Sequence, residues 1–311
     1  MAEIEISKIN SLAEADPEGL VLSAEKRYKD FIRSVADAVL ENSNIKIILL
    51  AGPSGSGKTT TANILTDEIR ARGLSSLVVS LDDFYRNATD PEYPRLPDGE
   101  RDFEAVEALN LPDIEDTLLA ISEGREFSVP RYDFKIGARS GYVNYPEISH
   151  GCVIIEGLHA LNPIICKSLD TGRAIRIFIS VSTNINEGGA RIMSGRNMRF
   201  CRRMVRDSIY RNADAERTLG MWENVILGEE KYLYPYRPLA DFDFDTFHAF
   251  EPGIMKKYAE ALISEELCDR SPYAKRVLSA LKKAVAIDEA LVPEDSLIRE
   301  FIQGGKYEEF Y

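Results

Sequence analysis

The segment from residue 45 to residue 61 constrains the fold more than any other part of the chain. Residues Ile45–Leu50 are apolar except for Lys46, a pattern typical of a buried strand. A glycine-rich turn follows, with the spacing G-x-x-x-x-G-K-[ST] formed by Gly52, Gly57, Lys58 and Thr59. Glycines let successive backbone N–H groups turn inward around phosphate oxygens, where a side chain would block the approach. The segment therefore predicts a strand followed by a phosphate-binding loop.

The residues after the loop strengthen this prediction. Residues 60–72 are expected to form a helix whose N-terminus points at the same anion. Lys58 can reach the β- and γ-phosphates of a nucleotide, and the Thr59 hydroxyl is placed to bind Mg²⁺. The alternative is a Gly/Ser-rich turn of no special function, which the flanking strand and helix disfavour. The predicted nucleotide contacts are Gly52, Pro53, Ser54, Gly55, Ser56, Gly57, Lys58, Thr59 and Thr60.

Strand-like and helix-like segments alternate along the chain, which predicts an α/β fold with a mainly parallel sheet flanked by helices. Aromatic residues alternating between 128 and 145 indicate a small β excursion, whereas residues 1–22 show no clear periodicity. The expected organisation is an N-terminal extension and helix, a P-loop kinase domain that contains a lid, and a C-terminal helical extension. Their predicted ranges are 1–41, 42–268 (lid 184–219) and 269–311.

Composition excludes several classes of protein. The formal net charge of -13 over 311 residues argues against a nucleic-acid-binding surface. No stretch is long and apolar enough for a membrane helix, and the acidic, polar start does not resemble a signal peptide. The four cysteines are scattered without C-x-x-C spacing, which fits a reducing compartment. We therefore expect a cytoplasmic protein without a nucleic-acid or membrane partner. The sequence also allows a homo-oligomer, in which the C-terminal residues could form the contact between subunits.

Acidic residues follow two predicted strands. Asp82 and Asp83 come after the second strand of the kinase domain, and Glu156 ends the third. The carboxyl ends of parallel strands meet at one edge of the sheet, so these acids are expected beside the phosphate loop. Phosphoryl transfer to an alcohol needs a group that activates the hydroxyl and a ligand for Mg²⁺. Asp82 is the candidate base and Glu156 the candidate metal ligand, against the alternative that an aspartate only caps a turn.

A basic cluster interrupts this acidic chain. Residues 191–217 contain eight arginines against three acidic residues. Four of the arginines lie at helical spacing and are expected to neutralise the phosphoryl group in transit as part of a closing lid: Arg199, Arg202, Arg203 and Arg206. A solvated or ion-paired helix face is the alternative for any single arginine. A further group is expected around the acceptor, where aromatic rings could stack on a planar or sugar ring: Asp83, Tyr85, Arg86, Glu104, Tyr132, Phe134 and Arg139.

These motifs, in this order, resemble those of the uridine kinase and phosphoribulokinase family of P-loop kinases. The resemblance rests on GPSGSGKTT, SLDDFYR, VPRYDF with the later Arg139, VIIEGLHAL and RRMVRD. It runs from about residue 25 to the C-terminus and is nearest to a bacterial uridine-kinase-like branch, although this chain has no TGS domain. The resemblance implies an ATP- and Mg²⁺-dependent kinase. It also implies that Asp82 is the catalytic aspartate and that Tyr85 and Tyr132 belong to the acceptor pocket.

Two departures leave the acceptor open. Glu104 stands where uridine kinases have an aspartate that binds ribose hydroxyls, but Ala105-Val106 replaces their following His-Pro pair. Gly137 stands where they have a base-reading histidine. The expected activity is phosphorylation of a small alcohol, first of all the 5′-OH of a nucleoside. The alternatives are a sugar, polyol or amino-acid alcohol as acceptor, or a nucleotide-binding regulatory protein with little catalysis.

Overall fold

The computed structural model describes residues 2–96, 98–167, 169 and 171–310. Within them the strands are β1 Glu3–Glu5, β2 Ile47–Ala51, β3 Ser75–Ser80, β4 Phe127–Asp133, β5 Ala138–Tyr145, β6 Gly151–Glu156, β7 Ala174–Ser180, β8 Asn184–Glu187, β9 Ala190–Met193 and β10 Phe242–Asp245. The helices are α1 Ile6–Ala15, α2 Pro17–Glu41, α3 Lys58–Ala71, α4 Leu111–Ser122, α5 Pro163–Cys166, α6 Gly195–Arg211, α7 Ala215–Tyr232, α8 Glu251–Leu262, α9 Glu265–Arg270, α10 Pro272–Lys282 and α11 Arg299–Ile302.

A five-stranded parallel sheet forms the centre, in the order β10-β7-β2-β6-β3. Strand β2 lies in the middle and is buried along its whole length. Ile48 and Leu50 pack into the core on one face of the sheet, while Ile47 and Leu49 pack into the core on the other. A strand with two buried faces needs apolar side chains at every position, which explains the uninterrupted apolar run. The predicted α/β fold with a parallel sheet flanked by helices is confirmed.

The predicted β excursion is the antiparallel hairpin β4–β5, with an irregularity between Arg131 and Tyr132. Its strands pack near the turn that follows β3, so the hairpin covers the carboxyl edge of the sheet on the β3 side. On the other side of the sheet, the segment after β7 forms a second hairpin, β8–β9. No helix in the described part of the chain is both long and apolar enough to cross a membrane.

The N-terminal residues are more ordered than their sequence suggested. Residues 1–22 show no clear periodicity in the sequence, but β1 pairs with β8 in parallel and α1 packs on the same core. Ile6 and Ile9 of α1 are buried, whereas Leu12 faces outward. The apolar face of α1 is too short to stand out as a periodic pattern. Core residues from α2 and α10 share this cluster; the domain boundaries drawn at 41/42 and 268/269 remain a prediction.

This packing can be tested with two substitutions in α1. Ile9→Ala removes a side chain that is 1% exposed and should lower the free energy of unfolding by about 2 to 4 kcal/mol. Leu12→Ala on the same helix is the control; Leu12 is 43% exposed, so the loss should stay below about 1 kcal/mol. Chemical denaturation followed by circular dichroism measures both. Equal, small losses would show that α1 does not belong to the core.

Candidate active site

The loop between β2 and α3 has the geometry of an anion cradle. Gly55 and Gly57 have φ angles of 73° and 90°, a region that favours glycine. The backbone N–H groups of Gly55, Gly57, Lys58 and Thr59 have no hydrogen-bond acceptor among the described residues. A helix N-terminus with free amides attracts negative charge. The loop is therefore built to hold phosphate oxygens, and Lys58 begins the helix at its base.

Three carbonyl groups of the same loop, those of Ser54, Gly55 and Ser56, are bound by side chains from outside the loop, whereas the Pro53 carbonyl accepts from Lys58 Nζ at 3.4 Å. Arg199 Nη1 donates to the Ser54 carbonyl at 2.9 Å, and Arg202 Nη1 donates to the Gly55 carbonyl at 3.2 Å. The Thr246 hydroxyl donates to the Ser56 carbonyl at 2.9 Å. Because each peptide unit is planar, fixing a carbonyl outward turns the next N–H inward. The bonds to the Ser54 and Ser56 carbonyls therefore keep the N–H groups of Gly55 and Gly57 aimed at the anion, whereas the Ser56 N–H donates to the Pro53 carbonyl at 3.2 Å.

Arg199 and Arg202 are themselves held by buried carboxylates. Arg199 forms a bidentate pair with Glu229 of α7, at 2.7 and 2.8 Å, and Glu229 also accepts from the Ser54 N–H at 2.9 Å. Arg202 pairs with Glu251 of α8, where Nη2 donates at 2.8 Å. Both arginines are fully buried. The prediction that they contact the transferring phosphoryl group from a lid is therefore corrected. Their guanidinium groups instead bind Glu229, Glu251 and the carbonyls of the loop.

Arg203 and Arg206 lie on the side of α6 nearer to the cleft. Arg203 donates to the Ser54 hydroxyl at 2.8 Å, and burial lowers its pKa. Arg206 donates to Glu300 at 3.0 Å. Arg211, at the end of the helix, lies close enough to Asp82 for their charges to interact, although it was not among the predicted site residues. All three also form ion pairs with the buried carboxylate of Asp207, and the role of Arg203 and Arg206 toward a phosphoryl group stays a prediction.

The C-terminal segment contributes to the loop in a way that sequence reasoning missed. Leu297 packs so closely on Gly57 that a Cβ there would lie 2.6 Å from its side chain. Glu300 is buried and accepts from the Thr60 hydroxyl at 2.7 Å as well as from Arg206. The Thr60 hydroxyl is therefore engaged by Glu300, and the predicted contact of Thr60 with the nucleotide stays a prediction. The only sign of this role in the sequence is that Glu300 is a carboxylate within an apolar, helical segment.

Asp82 and Glu156 lie at the carboxyl ends of neighbouring strands. The Asp82 carboxylate is open to solvent but lies in a concave part of the protein, and this partial desolvation raises its pKa against the opposing charge of Lys58. Burial, and then the charge of Asp82, raise the pKa of Glu156 to about 7. The Ser80 hydroxyl donates to Glu156 at 2.7 Å. Asp82, Glu156 and Lys58 thus lie close enough beside the cradle for their charges to interact.

These residues fit a magnesium ion bound together with phosphate. No group of three or more His, Cys, Asp or Glu side chains within the described residues could hold a metal by itself. Mg²⁺ commonly takes one or two protein oxygens and completes its shell with phosphate oxygens and water. The Thr59 hydroxyl has no hydrogen bond to any described residue and would be available to the ion. Glu156 is buried at the end of β6 and would act directly or through water.

An aromatic cavity of about 290 Å³ lies beyond Asp82. Its walls include Tyr85, Phe103, Tyr132 and Phe134, and the rings of Tyr132 and Phe134 meet edge to face with centroids 5.0 Å apart. Tyr85 is close enough to feel the charge of Asp82, and it packs on both of these rings. Such a cavity accommodates a planar or sugar ring next to the acid.

Gly137 closes this cavity and explains one departure from the uridine kinase pattern. Its φ angle is 65°, and a Cβ at this position would lie 2.9 Å from Ala88. A histidine could not stand here without movement of the backbone. Glu104 lies nearby in the cleft, where burial and the charge of Glu229 raise its pKa to about 7.

Three predicted acceptor contacts are instead used within the protein. Asp83 accepts from Arg131 at 2.7 Å and from the Tyr132 N–H at 3.2 Å, which ties the hairpin to the end of β3. Arg139 pairs with Asp113 of α4 at 2.6 Å. Arg86 pairs with the adjacent carboxylates of residues 90 and 92. None of the three lines the aromatic cavity, so we revise their expected roles from binding the acceptor to shaping its pocket.

Comparison with known proteins identifies the family of the chain. A model of the phosphoribulokinase / uridine kinase family matches residues 47–249, which include the phosphate loop, the acids and the arginine helix. The chain belongs to this kinase family. The uridine kinase of Schizosaccharomyces pombe is 28% identical over 171 residues, covering 55% of this chain and 33% of that protein. The uridine kinase of Deinococcus deserti is 26% identical over 218 residues, covering 70% of this chain and 86% of that protein.

Other relatives carry different names. The inorganic pyrophosphatase TTM1 of Arabidopsis thaliana is 32% identical over 149 residues, which are 48% of this chain and 21% of that protein. Several of these relatives are much longer, and the match spans only a fifth to a third of their length. A solved structure described as a possible uridine kinase from Bacillus stearothermophilus covers 70% of this chain and 100% of its own, with a TM-score of 0.49 and 17% identity. A D-glycerate 3-kinase from Cryptococcus neoformans has a TM-score of 0.44 and 15% identity, covering 66% of this chain and 87% of its own.

The buried pair beneath the loop gives a direct prediction. Glu229→Gln leaves the Arg199 charge buried without a full partner and should cost about 3 to 5 kcal/mol of unfolding free energy. The neighbouring Glu230→Gln is the control; it breaks an exposed pair with Arg196 and should cost less than about 1 kcal/mol. Urea denaturation measures both. A difference below 1 kcal/mol would contradict the role assigned to Glu229.

Proposed function

We propose that this chain is a kinase that transfers the γ-phosphoryl group of Mg²⁺-bound ATP to a hydroxyl of a small acceptor. The observation that supports this most is the position of Asp82. Its carboxylate is close enough to interact electrostatically with Lys58 of the phosphate loop and with Tyr85 of the aromatic cavity. These interactions support a path that leads from the phosphate loop past Asp82 to a cavity of ring size.

The residues of the cleft divide the work of phosphoryl transfer. The loop amides and Lys58 hold the β- and γ-phosphates, and Mg²⁺, when bound through Thr59 and Glu156, neutralises their charge. Asp82 accepts the proton of the acceptor hydroxyl; its raised pKa makes it a better base than an exposed aspartate. Arg203 and Arg206, with Arg211, face the developing negative charge, where electrostatic stabilisation is most effective.

The acceptor that best fits the cavity is a nucleoside, phosphorylated at its 5′-OH. Aromatic walls can stack on a base, and Glu104 lies in the cleft where it could bind ribose hydroxyls. One observation favours the second candidate, a sugar or polyol. Apart from backbone and tyrosine hydroxyls, the polar groups of the cavity are Arg101 and Lys135. Neither is an amide or a neutral histidine, so hydrogen-bond selection of one base over another is weak.

Asp82→Asn tests the proposed base. The substitution keeps the shape of the side chain but removes a proton acceptor, so kcat should fall by about 10² to 10⁴-fold. Affinity for Mg²⁺–ATP should change little, since the cradle is intact. Asp116→Asn, an exposed position on α4, is the control and should keep wild-type turnover. Single-turnover transfer and equilibrium nucleotide binding provide the two readings. Wild-type turnover in Asp82→Asn would remove this residue from the base role.

A panel of acceptors tests the proposed substrate class. ADP release should rise with nucleosides, and Tyr132→Ala should raise the KM for the nucleoside at least several-fold without changing the KM for ATP. Phe103 is also a cavity aromatic but is half exposed; Phe103→Leu is the milder control. Turnover only with polyols or sugar acids would favour the second candidate. ATP turnover that stays flat with every acceptor would favour a nucleotide-binding regulatory protein.

A further inference from the structure

A second and larger cavity lies outside the catalytic cleft. It has a volume of about 700 Å³ and is enclosed by the end of β7, by β9, by the N-terminus of α6, by the segment after α7 and by α10. Lys58, Asp82, Glu104 and Glu156 do not line it. The buried Arg199–Glu229 pair lies between this cavity and the phosphate loop, and Arg199 Nη2 donates to the hydroxyl of the cavity residue Tyr234 at 3.3 Å. We call it the arginine cavity.

The charge of the arginine cavity is opposite to that of the protein as a whole. Only one carboxylate lines it, that of Glu230. The four arginines that line it are Arg191, Arg196, Arg237 and Arg276. The chain as a whole carries a formal net charge of -13. Arg196 is paired with Glu230, and Arg237 is paired with Asp243. Arg191 and Arg276 have no hydrogen bond or ion pair with any described residue. Two guanidinium groups at the cavity are therefore available to a ligand.

The start of α6 adds backbone donors to these side chains. Ser194 caps the 17-residue helix by accepting from the Asn197 N–H. The N–H groups of Gly195 and Arg196, which also line the cavity, have no acceptor within the described part of the chain. Gly195 is required here, since a Cβ would lie 2.1 Å from the Val181 carbonyl oxygen. Free N–H groups in the first turn of a helix, beside arginines without a partner, form an arrangement that binds anions.

The remaining wall is suited to an organic group. Tyr234 and Tyr273 are half-buried, and Met193 is buried beside them. The volume falls within the range of small-molecule sites, roughly 300 to 1,000 Å³, and is much larger than one inorganic phosphate needs. Aromatic faces bind planar rings, and arginine forks bind phosphate bidentately.

From this combination we propose that the arginine cavity is a second ligand site that binds a nucleoside phosphate, separate from the catalytic cleft. The phosphate lies against Arg191, Arg276 and the first amides of α6, and the base or sugar lies against the two tyrosines. The proposal does not depend on which acceptor the kinase uses.

The test is equilibrium binding of pyrophosphate and of UMP to the full chain, measured by titration calorimetry. Both probes can also enter the phosphate loop, so the measurements use a Lys58→Ala background as well as the wild type. Arg191→Gln/Arg276→Gln should weaken binding of both probes at least tenfold in the Lys58→Ala background. In the wild-type background, the same double substitution should leave kcat unchanged, because neither arginine lies at the phosphate loop or the aromatic cavity. Tighter binding of UMP than of pyrophosphate is expected from the tyrosines.

The matched control is Arg217→Gln/Lys275→Gln. These exposed residues lie on α7 and α10 but do not line the cavity, and the change in net charge is the same. Equal affinities in the two double variants would overturn the proposal, since they would show only a general charge effect. Loss of all binding in Lys58→Ala alone would overturn it as well, because the anion would then occupy the catalytic cradle. If UMP binds no more tightly than pyrophosphate, the proposal that the site recognises a nucleoside would be wrong.

Discussion

The outward binding of three carbonyl groups is the constraint on which the rest of the site depends. A glycine-rich loop has many conformations, and glycine loses more conformational freedom on folding than any other residue. Here the carbonyls of Ser54, Gly55 and Ser56 are bound by Arg199, Arg202 and Thr246. The loop amides are thereby turned inward before any nucleotide arrives. Preorganised donors of this kind are effective because they need no rearrangement during the reaction.

The buried charges make this arrangement costly and specific at the same time. Two charged guanidinium groups are removed from water, and the bidentate pairs with Glu229 and Glu251 compensate for it together with the hydrogen bonds to Ser54, Gly55 and Thr246. These carboxylates come from α7 and α8, while Glu300 of α11 binds Thr60 and Arg206. Helices far apart in the sequence therefore meet at the loop. The position of the catalytic groups depends on the whole assembly rather than on the loop alone.

Much of the fold could be predicted because its signals are local. The apolar run of β2, the loop spacing and the strand-end acids each follow from a few adjacent residues. The role of Arg199 and Arg202 could not, because a helical face of arginines has the same sequence pattern whether it faces a substrate or a buried carboxylate. Their partners, Glu229 and Glu251, lie 30 and 49 positions away. The same reason hid Glu300, and the short apolar face of α1 was too brief for periodicity to reveal it.

The central claim is that a triphosphate in the loop points its terminal group toward Asp82. A crystal structure with Mg²⁺, a non-hydrolysable ATP analogue and the acceptor selected by turnover would test it most directly. The account predicts that the γ-phosphate lies between Lys58 and Asp82, with the acceptor hydroxyl within hydrogen-bond distance of the Asp82 carboxylate. A triphosphate bound outside the loop, or one whose γ-phosphate points away from Asp82, would contradict it.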